Sequence, residues 1–159
     1  MEPNATKFDL IILGASGFTG KYVLKEALKF LNTSSSPLTS IAIAGRSPTK
    51  LAQTLQWASK PNPPPSLPIL HADTTDPSSL RSLCSQTHLI LNCVGPFRHH
   101  GEPVVAACTD TGYTFYFFKS EDSFWSSFDV FILRTNWFLI YYNRSYTKMS
   151  GSIHIHSSD

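Results

Sequence analysis

Phe8-Asp-Leu-Ile-Ile-Leu-Gly-Ala-Ser-Gly-Phe-Thr-Gly20 is the stretch on which the fold turns. The apolar run Phe8 to Leu13 stops at a glycine, as a strand buried on both faces does. Gly14, Gly17 and Gly20 follow at G-x-x-G-x-x-G spacing, a variant of the dinucleotide-binding fingerprint. Beyond them Val23, Leu24, Ala27, Leu28 and Leu31 recur at helical spacing, with Lys21, Lys25, Glu26 and Lys29 on the polar face between. Strand, glycine turn and helix in that order give each glycine a task. Gly14 makes the tight turn, Gly17 lets a pyrophosphate reach the backbone, and Gly20 lets the helix pack on the sheet. The helix N-terminus adds unpaired N–H groups and a partial positive charge. Gly14, Ser16, Gly17, Phe18, Thr19 and Gly20 are therefore the first candidate cofactor-binding residues. A purely structural turn is the alternative; the flanking strand and helix favour the nucleotide.

Outward from this turn, strand and helix signals alternate. Ser40 to Ala44 reads as a second strand closed by Gly45, and Ser47-Pro48 as a helix start with Leu51, Ala52, Leu55 and Ala58 on its apolar face. Asn32 to Ser36 ends the first helix, and the proline-rich run Pro61 to Pro68 is an exposed loop. Ile69 to His71 continues as a short third strand. Asp76-Pro77 repeats the cap-plus-proline start, for a helix through Leu80 and Leu83. His88 to Val94 reads as a fourth strand ended by Gly95-Pro96, and a fourth helix beginning at Pro103 stops at Gly112. The order βαβαβαβα demands a parallel α/β sheet with right-handed crossovers.

The end of the second strand selects the nucleotide. An NAD site carries Asp or Glu there, to accept from the ribose 2′-hydroxyl. This chain has Gly45-Arg46-Ser47. A guanidinium pairs with a 2′-phosphate through two charge-assisted hydrogen bonds, so NADP(H) is favoured over NAD(H). A solvated surface charge is the alternative for Arg46, and Lys50 reads as a helix-surface lysine. Asp73, ending the third strand, is placed to accept from an adenine amino group or to cap its own loop. Asn92, Val94 and Gly95 end the fourth strand near the nicotinamide end, where Gly95 permits close approach. Phe97, Arg98, His99 and His100 are expected on a loop facing the cleft, with solvated histidines favoured over acid–base machinery. No residue is assigned a catalytic role.

Composition excludes other classes. The 159 residues, 17.7 kDa, suffice for one core, and a net charge of +2 gives no electrostatic case for nucleic acid or an acidic membrane as main partner. Cys84, Cys93 and Cys108 include no C-x-x-C pair, so neither a disulfide framework nor a zinc site is expected. No secretory signal or apolar run of spanning length occurs, so the chain is expected not to be secreted. Without that signal the glycosylation patterns at Asn4, Asn32 and Asn143 carry no weight. His154-Ile-His156 lacks further ligands for a metal.

The averages conceal a seam. All 11 prolines precede Gly112, whereas 14 of the 20 aromatic residues follow it. Residues 1–112 hold the alternating pattern; residues 113–159 are rich in Phe, Tyr, Trp and Ser with no steady period.

Gly14-Ala-Ser-Gly-Phe-Thr-Gly20, Ala44-Gly-Arg46, Asn92-Cys-Val-Gly-Pro-Phe97 and Gly101-Glu-Pro-Val-Val104 together resemble the saccharopine dehydrogenase-like oxidoreductases, especially their plant members. The likeness covers residues 8–112. It implies a Rossmann NADP-binding domain, here incomplete, followed in the family by a larger mixed α/β domain. It further implies an oxidoreductase linked to glycolipid or lipid metabolism, and association with mitochondria, lipid droplets or membranes; a cytoplasmic site is the other expectation. Where the family continues with a strand reading roughly D-Y-x-D and then G-E, this chain has Tyr113-Thr-Phe-Tyr-Phe-Phe-Lys-Ser-Glu-Asp122. So abrupt a departure reads as read-through of noncoding sequence, such as a retained intron, and the expectation is a truncated isoform or gene-model product. Tyr113 to Phe118 has the β-propensity to supply one added strand. Nucleotide binding without turnover is expected, with pairing to a full-length family member as a further expectation.

Overall fold

The computed structural model describes residues 8–31, 38–87, 89–111, 114–120, 128–134, 138–143 and 154–156. The chain alternates β1 (Leu10–Leu13), α1 (Phe18–Leu31), β2 (Ile41–Gly45), α2 (Pro48–Ser59), β3 (Ile69–His71), α3 (Pro77–Cys84), β4 (Leu89–Asn92) and α4 (Phe97–Thr111). These four strands lie side by side in the order β3-β2-β1-β4, all parallel. The alternation read from the sequence is thus the observed fold, a Rossmann-like sheet. Beyond β4 the sheet continues with β5 (Thr114–Ser120) parallel, then β6 (Phe128–Arg134), β7 (Phe138–Asn143) and β8 (His154–His156), each antiparallel to its predecessor. The proposed helix end at Asn32 to Ser36, and Asn4 and Asn32 of the glycosylation patterns, lie outside the described residues.

Period-two alternation divides the core. Ile11 and Leu13 join Ala42, Ala44 and Ile90 beneath α3 and α4, through Leu80, Leu83, Val104 and Ala107. Leu10 and Ile12 join Ile41 and Ile43 beneath α1 and α2, through Leu24, Leu28, Leu51 and Leu55. Every residue of β1 and β2 is buried, which is why these strands read as unbroken apolar runs. Each fully buried Leu or Ile contributes about 1.5–3 kcal/mol. Ala52, expected on the apolar face of its helix, is exposed; Leu51, Leu55 and Ala58 carry the apolar contact.

The two cap-plus-proline signals behave as expected. Ser47 Oγ accepts from the Lys50 N–H at 3.4 Å, and Asp76 Oδ1 accepts from the Ser78 N–H at 2.9 Å, each with proline in the first turn. The fourth helix differs from expectation: it begins at Phe97, so His99 and His100 stand in its first turn rather than on a loop. The N–H groups of both histidines donate to the Pro96 carbonyl, at 3.0 and 3.2 Å. Pro103 lies inside this helix, where it removes one ladder donor. The buried stripe Gly101, Val104, Ala107 and Cys108 offsets that loss.

Asp9 staples the start of β1 to that of β2. Its Oδ2 accepts from the Thr39 N–H and hydroxyl, both at 2.8 Å, and from the Ser40 N–H at 2.9 Å. The Thr39 hydroxyl first, with the Thr39 and Ser40 N–H groups adding to it against a burial penalty, holds the carboxyl below its ordinary value. A depressed carboxyl stabilises the fold fully above the unfolded pKa, near pH 4, and loses that effect as pH falls through the lower folded value. Asp9→Asn is expected to lower stability by about 1–2 kcal/mol at pH 7. Urea unfolding at pH 7 and pH 3 checks this, with the gap to the parent chain narrowing in acid.

Candidate functional site

Past their last paired residues, the four strands remain tied to one another. The Gly14 N–H donates to the Ala44 carbonyl at 2.8 Å, the Cys93 N–H to the Leu13 carbonyl at 2.8 Å, and the Ala72 N–H to the Gly45 carbonyl at 3.2 Å. Gly14, Arg46, Ala72 and Cys93 are thereby set along one edge, the C-terminal ends of the strands, where open α/β sheets bind ligands.

A crevice of about 250 Å³ lies there. Gly14, Ser16 and Gly17 supply one wall from the turn after β1, and Arg46, Ser47 and Lys50 another from the end of β2 and the start of α2. Ala72 and Thr74 enter from the loop after β3, while Cys93, Val94, Gly95 and His100 enter from the β4–α4 turn. A larger hollow of about 580 Å³ lies between the C-terminal halves of α1 and α2. Those helix ends are at the opposite edge of the sheet, away from the glycine turn, so the smaller crevice is the candidate site.

The three glycines differ in what a side chain would meet. Gly14 takes φ +80°, and a Cβ there would come within 2.8 Å of Val94 Cγ2. At Gly20 a Cβ would drive into the Gly14 carbonyl oxygen and lie 2.7 Å from Ala15 Cα, so the absence of a side chain sets how closely α1 approaches the turn. Gly17 is exposed, and the first atom a methyl group on its Cα would meet is the Gly14 carbonyl oxygen, at 3.3 Å. Its other side is open toward the crevice. The Gly17 N–H donates to the Gly14 carbonyl and its carbonyl accepts from the Lys21 N–H, both at 3.0 Å, so helix α1 starts directly at this residue.

Of the other candidates, Arg46, Val94 and Gly95 line the crevice, and Phe18, Thr19, Gly20, Asp73 and Asn92 do not. Phe18 is 75% exposed, packed edge-to-face on Tyr22 at 5.5 Å with Lys21 Nζ 5.2 Å above its ring, on the outer face of α1. Gly20 is buried behind the turn.

Asp73 caps its loop. Its Oδ1 accepts from the Thr75 N–H at 2.9 Å and the Thr75 hydroxyl at 2.8 Å. These bonds, with the nearby Arg46 and His71 charges adding to them against a burial penalty, hold its carboxyl below the ordinary range.

Asn92 Oδ1 accepts from the Val94 N–H at 3.0 Å and shapes the turn before Gly95. Its Nδ2 is buried with no hydrogen-bond partner among the described residues.

Burial pushes the Cys93 thiol up to about 12, so at neutral pH it lines the site as an uncharged group. Cys84 and Cys108 stand together in the core, Sγ to Sγ 3.2 Å, as free thiols. The hydrogen bond to Cys84, with burial, holds the Cys108 thiol far above its ordinary range. Among the described residues no group of three or more His, Cys, Asp or Glu is placed to hold a metal, and no helix is long and apolar enough to cross a membrane.

Thr74 and Ala72 were not legible as site residues. Only the register of β3 against β2 brings their loop to the crevice. His100 was visible as part of a histidine pair, but its bond to Thr74 Oγ1, at 2.9 Å from Nδ1, spans 26 positions and left no local signal.

Residues 10–116 match the family described as the saccharopine dehydrogenase NADP binding domain. The chain is 66% identical, over 119 residues, to a probable mitochondrial saccharopine dehydrogenase-like oxidoreductase of Arabidopsis thaliana, covering 74% of this chain and 26% of that protein. It is 43% identical, over 117 residues, to a saccharopine dehydrogenase-like oxidoreductase of Mus musculus, covering 70% of this chain and 27% of the relative. The chain thus spans about a quarter of the length of these curated relatives. Among solved structures, apo saccharopine dehydrogenase (L-Glu forming) from Saccharomyces cerevisiae superposes with a TM-score of 0.53 at 15% identity, covering 75% of this chain and 22% of that one. At that identity the likeness speaks for the fold alone.

Proposed function

The chain belongs to the saccharopine dehydrogenase NADP-binding domain family, and from that membership we propose that its function is to hold NADP(H), in preference to NAD(H), in the crevice at the strand ends. The carrying observation is the open Gly17 cradle at the start of α1 with the exposed Arg46 on the adjoining wall. The α1 N-terminal amides and the turn backbone take the diphosphate. Arg46 takes the 2′-phosphate through paired charge-assisted bonds. Gly95 leaves room for the nicotinamide ribose, and Asn92 fixes the Val94 amide beneath it. When bound, the coenzyme would supply hydride transfer through its nicotinamide ring.

Coenzyme binding is the role proposed for these residues; hydride transfer further needs a second reactant held against the nicotinamide. Residues 1–112 form the coenzyme unit of this proposal. Residues 113–159 are a divergent tail of read-through composition, which an uninterrupted exon across Gly112 would argue against. Pairing with a full-length relative, and placement at mitochondria, lipid droplets or a membrane, complete the reading. The name of the Arabidopsis relative supports the mitochondrial part.

Titrating the purified chain with NADPH and NADH at fixed ionic strength tests the proposal. NADPH is expected to bind about tenfold or more tightly than NADH, the worth of one charge-assisted contact. Equal affinity removes the assignment of Arg46, and no binding of either at millimolar concentration removes the function. Measurable turnover of a panel of carbonyl compounds would replace the binding role with an enzymatic one.

A further inference from the structure

Thr74 and His100 stand in the crevice, and the coenzyme contacts assigned above use neither. Their loops follow β3 and β4, which have β2 and β1 between them. Yet Thr74 Oγ1 lies 2.9 Å from His100 Nδ1. The side-by-side packing of α3 and α4 on one sheet face brings the loop entering α3 and the first turn of α4 together over the strand ends. Thr74 is only 7% exposed, and His100 is half-buried. The bond occupies Nδ1 and leaves Nε2 as the ring's remaining polar atom, with the tautomer deciding which partner donates.

Position indicates which half of a dinucleotide this pair faces. The glycine turn after β1 takes the diphosphate, and Arg46 after β2 marks the 2′-phosphorylated ribose. The Ala72 N–H donates to the Gly45 carbonyl, and Arg46 and Thr74 line the same crevice. The Thr74 loop therefore borders the adenosine end. We propose that His100, oriented by Thr74, is a specificity-determining residue for the adenosine half of the coenzyme. Its ring packs against the ribose and base and offers Nε2 to them, and Thr74 is the positioning residue. This rests on the NADP(H) reading. The competing role is a structural tie between two loops.

The test uses the whole chain and three probes: adenosine 2′,5′-bisphosphate, reduced nicotinamide mononucleotide and NADPH. His100→Ala is expected to weaken the adenosine probe and NADPH by about tenfold, as loss of a hydrogen bond and a ring contact does, and to leave the mononucleotide within about twofold. Thr74→Val is expected to weaken the same two probes by about threefold, and the double variant to be no worse than His100→Ala, because the two act as one unit. His100→Asn can keep a bond to Thr74 but has no ring, and it should remain weakened for the adenosine probe. Recovery to the parent affinity in His100→Asn would overturn the proposal, as would equal loss for both half-probes. Parent binding of NADPH with His100→Ala unchanged sinks this proposal alone. Failure of the parent chain to bind any of the three sinks the coenzyme reading and this inference with it.

Discussion

Gly20→Ala lowers the melting temperature by roughly 10 °C, the largest effect expected of a methyl group added at any described glycine. The added Cβ would meet the Gly14 carbonyl oxygen and Ala15 Cα. Both are backbone atoms, so no flexible side chain can swing aside. Relief requires α1 to lift off the turn, which strips Leu24 and Leu28 from Ile12 and Ile43 beneath them. Overpacking against backbone costs about 3 kcal/mol or more, a large share of the roughly 5–15 kcal/mol that holds a domain together. Gly17→Ala is the control. Its methyl meets one oxygen at 3.3 Å, so stability is nearly kept while nucleotide affinity falls. Calorimetric melting of both variants, with NADPH titration of the second, checks the pair. A Gly20→Ala melt within 3 °C of the parent, a difference of under about 1 kcal/mol, would mean that the helix start is not pinned by the turn.

Arg46→Asp inverts the coenzyme preference. Removing the guanidinium forfeits a charge-assisted pair of about 1.5–3 kcal/mol, and the new carboxylate repels the 2′-phosphate. NADPH is expected to bind about 30- to 100-fold more weakly. NADH is expected to hold its affinity or gain, because aspartate accepts from a free 2′-hydroxyl. The drop for NADPH should shrink as salt is raised, since Arg46 is exposed and its field is screened. Fluorescence titration of both coenzymes at two ionic strengths checks this. A uniform loss for both would make Arg46 a general surface cation.

Local chemistry made most of this legible from residue order. Phe8 to Gly20 gave strand, turn and helix because Gly14 and Gly20 stand where a Cβ would clash. Ser47-Pro48 and Asp76-Pro77 announced their helices through caps that depend on neighbours within three positions. The misreading at Phe97 has an equally local origin. Pro103 looked like a helix start, and only the buried stripe across α3 and α4 shows why the helix runs through it. Asp73 admitted two readings, and its Oδ1 bonds to Thr75 supply the loop cap without testing the adenine contact. Thr74 could not have been found from its surroundings, since its significance arises from a partner delivered by another crossover.

The amides that moor the crevice to its neighbouring strands have a kinetic corollary. Gly14 and Cys93 are already anchored through their own N–H groups, so a visiting molecule meets walls that need no ordering upon arrival. Little entropy is surrendered by the host. Capture should accordingly be limited by encounter and orientation, and residence time should carry the discrimination between one guest and another.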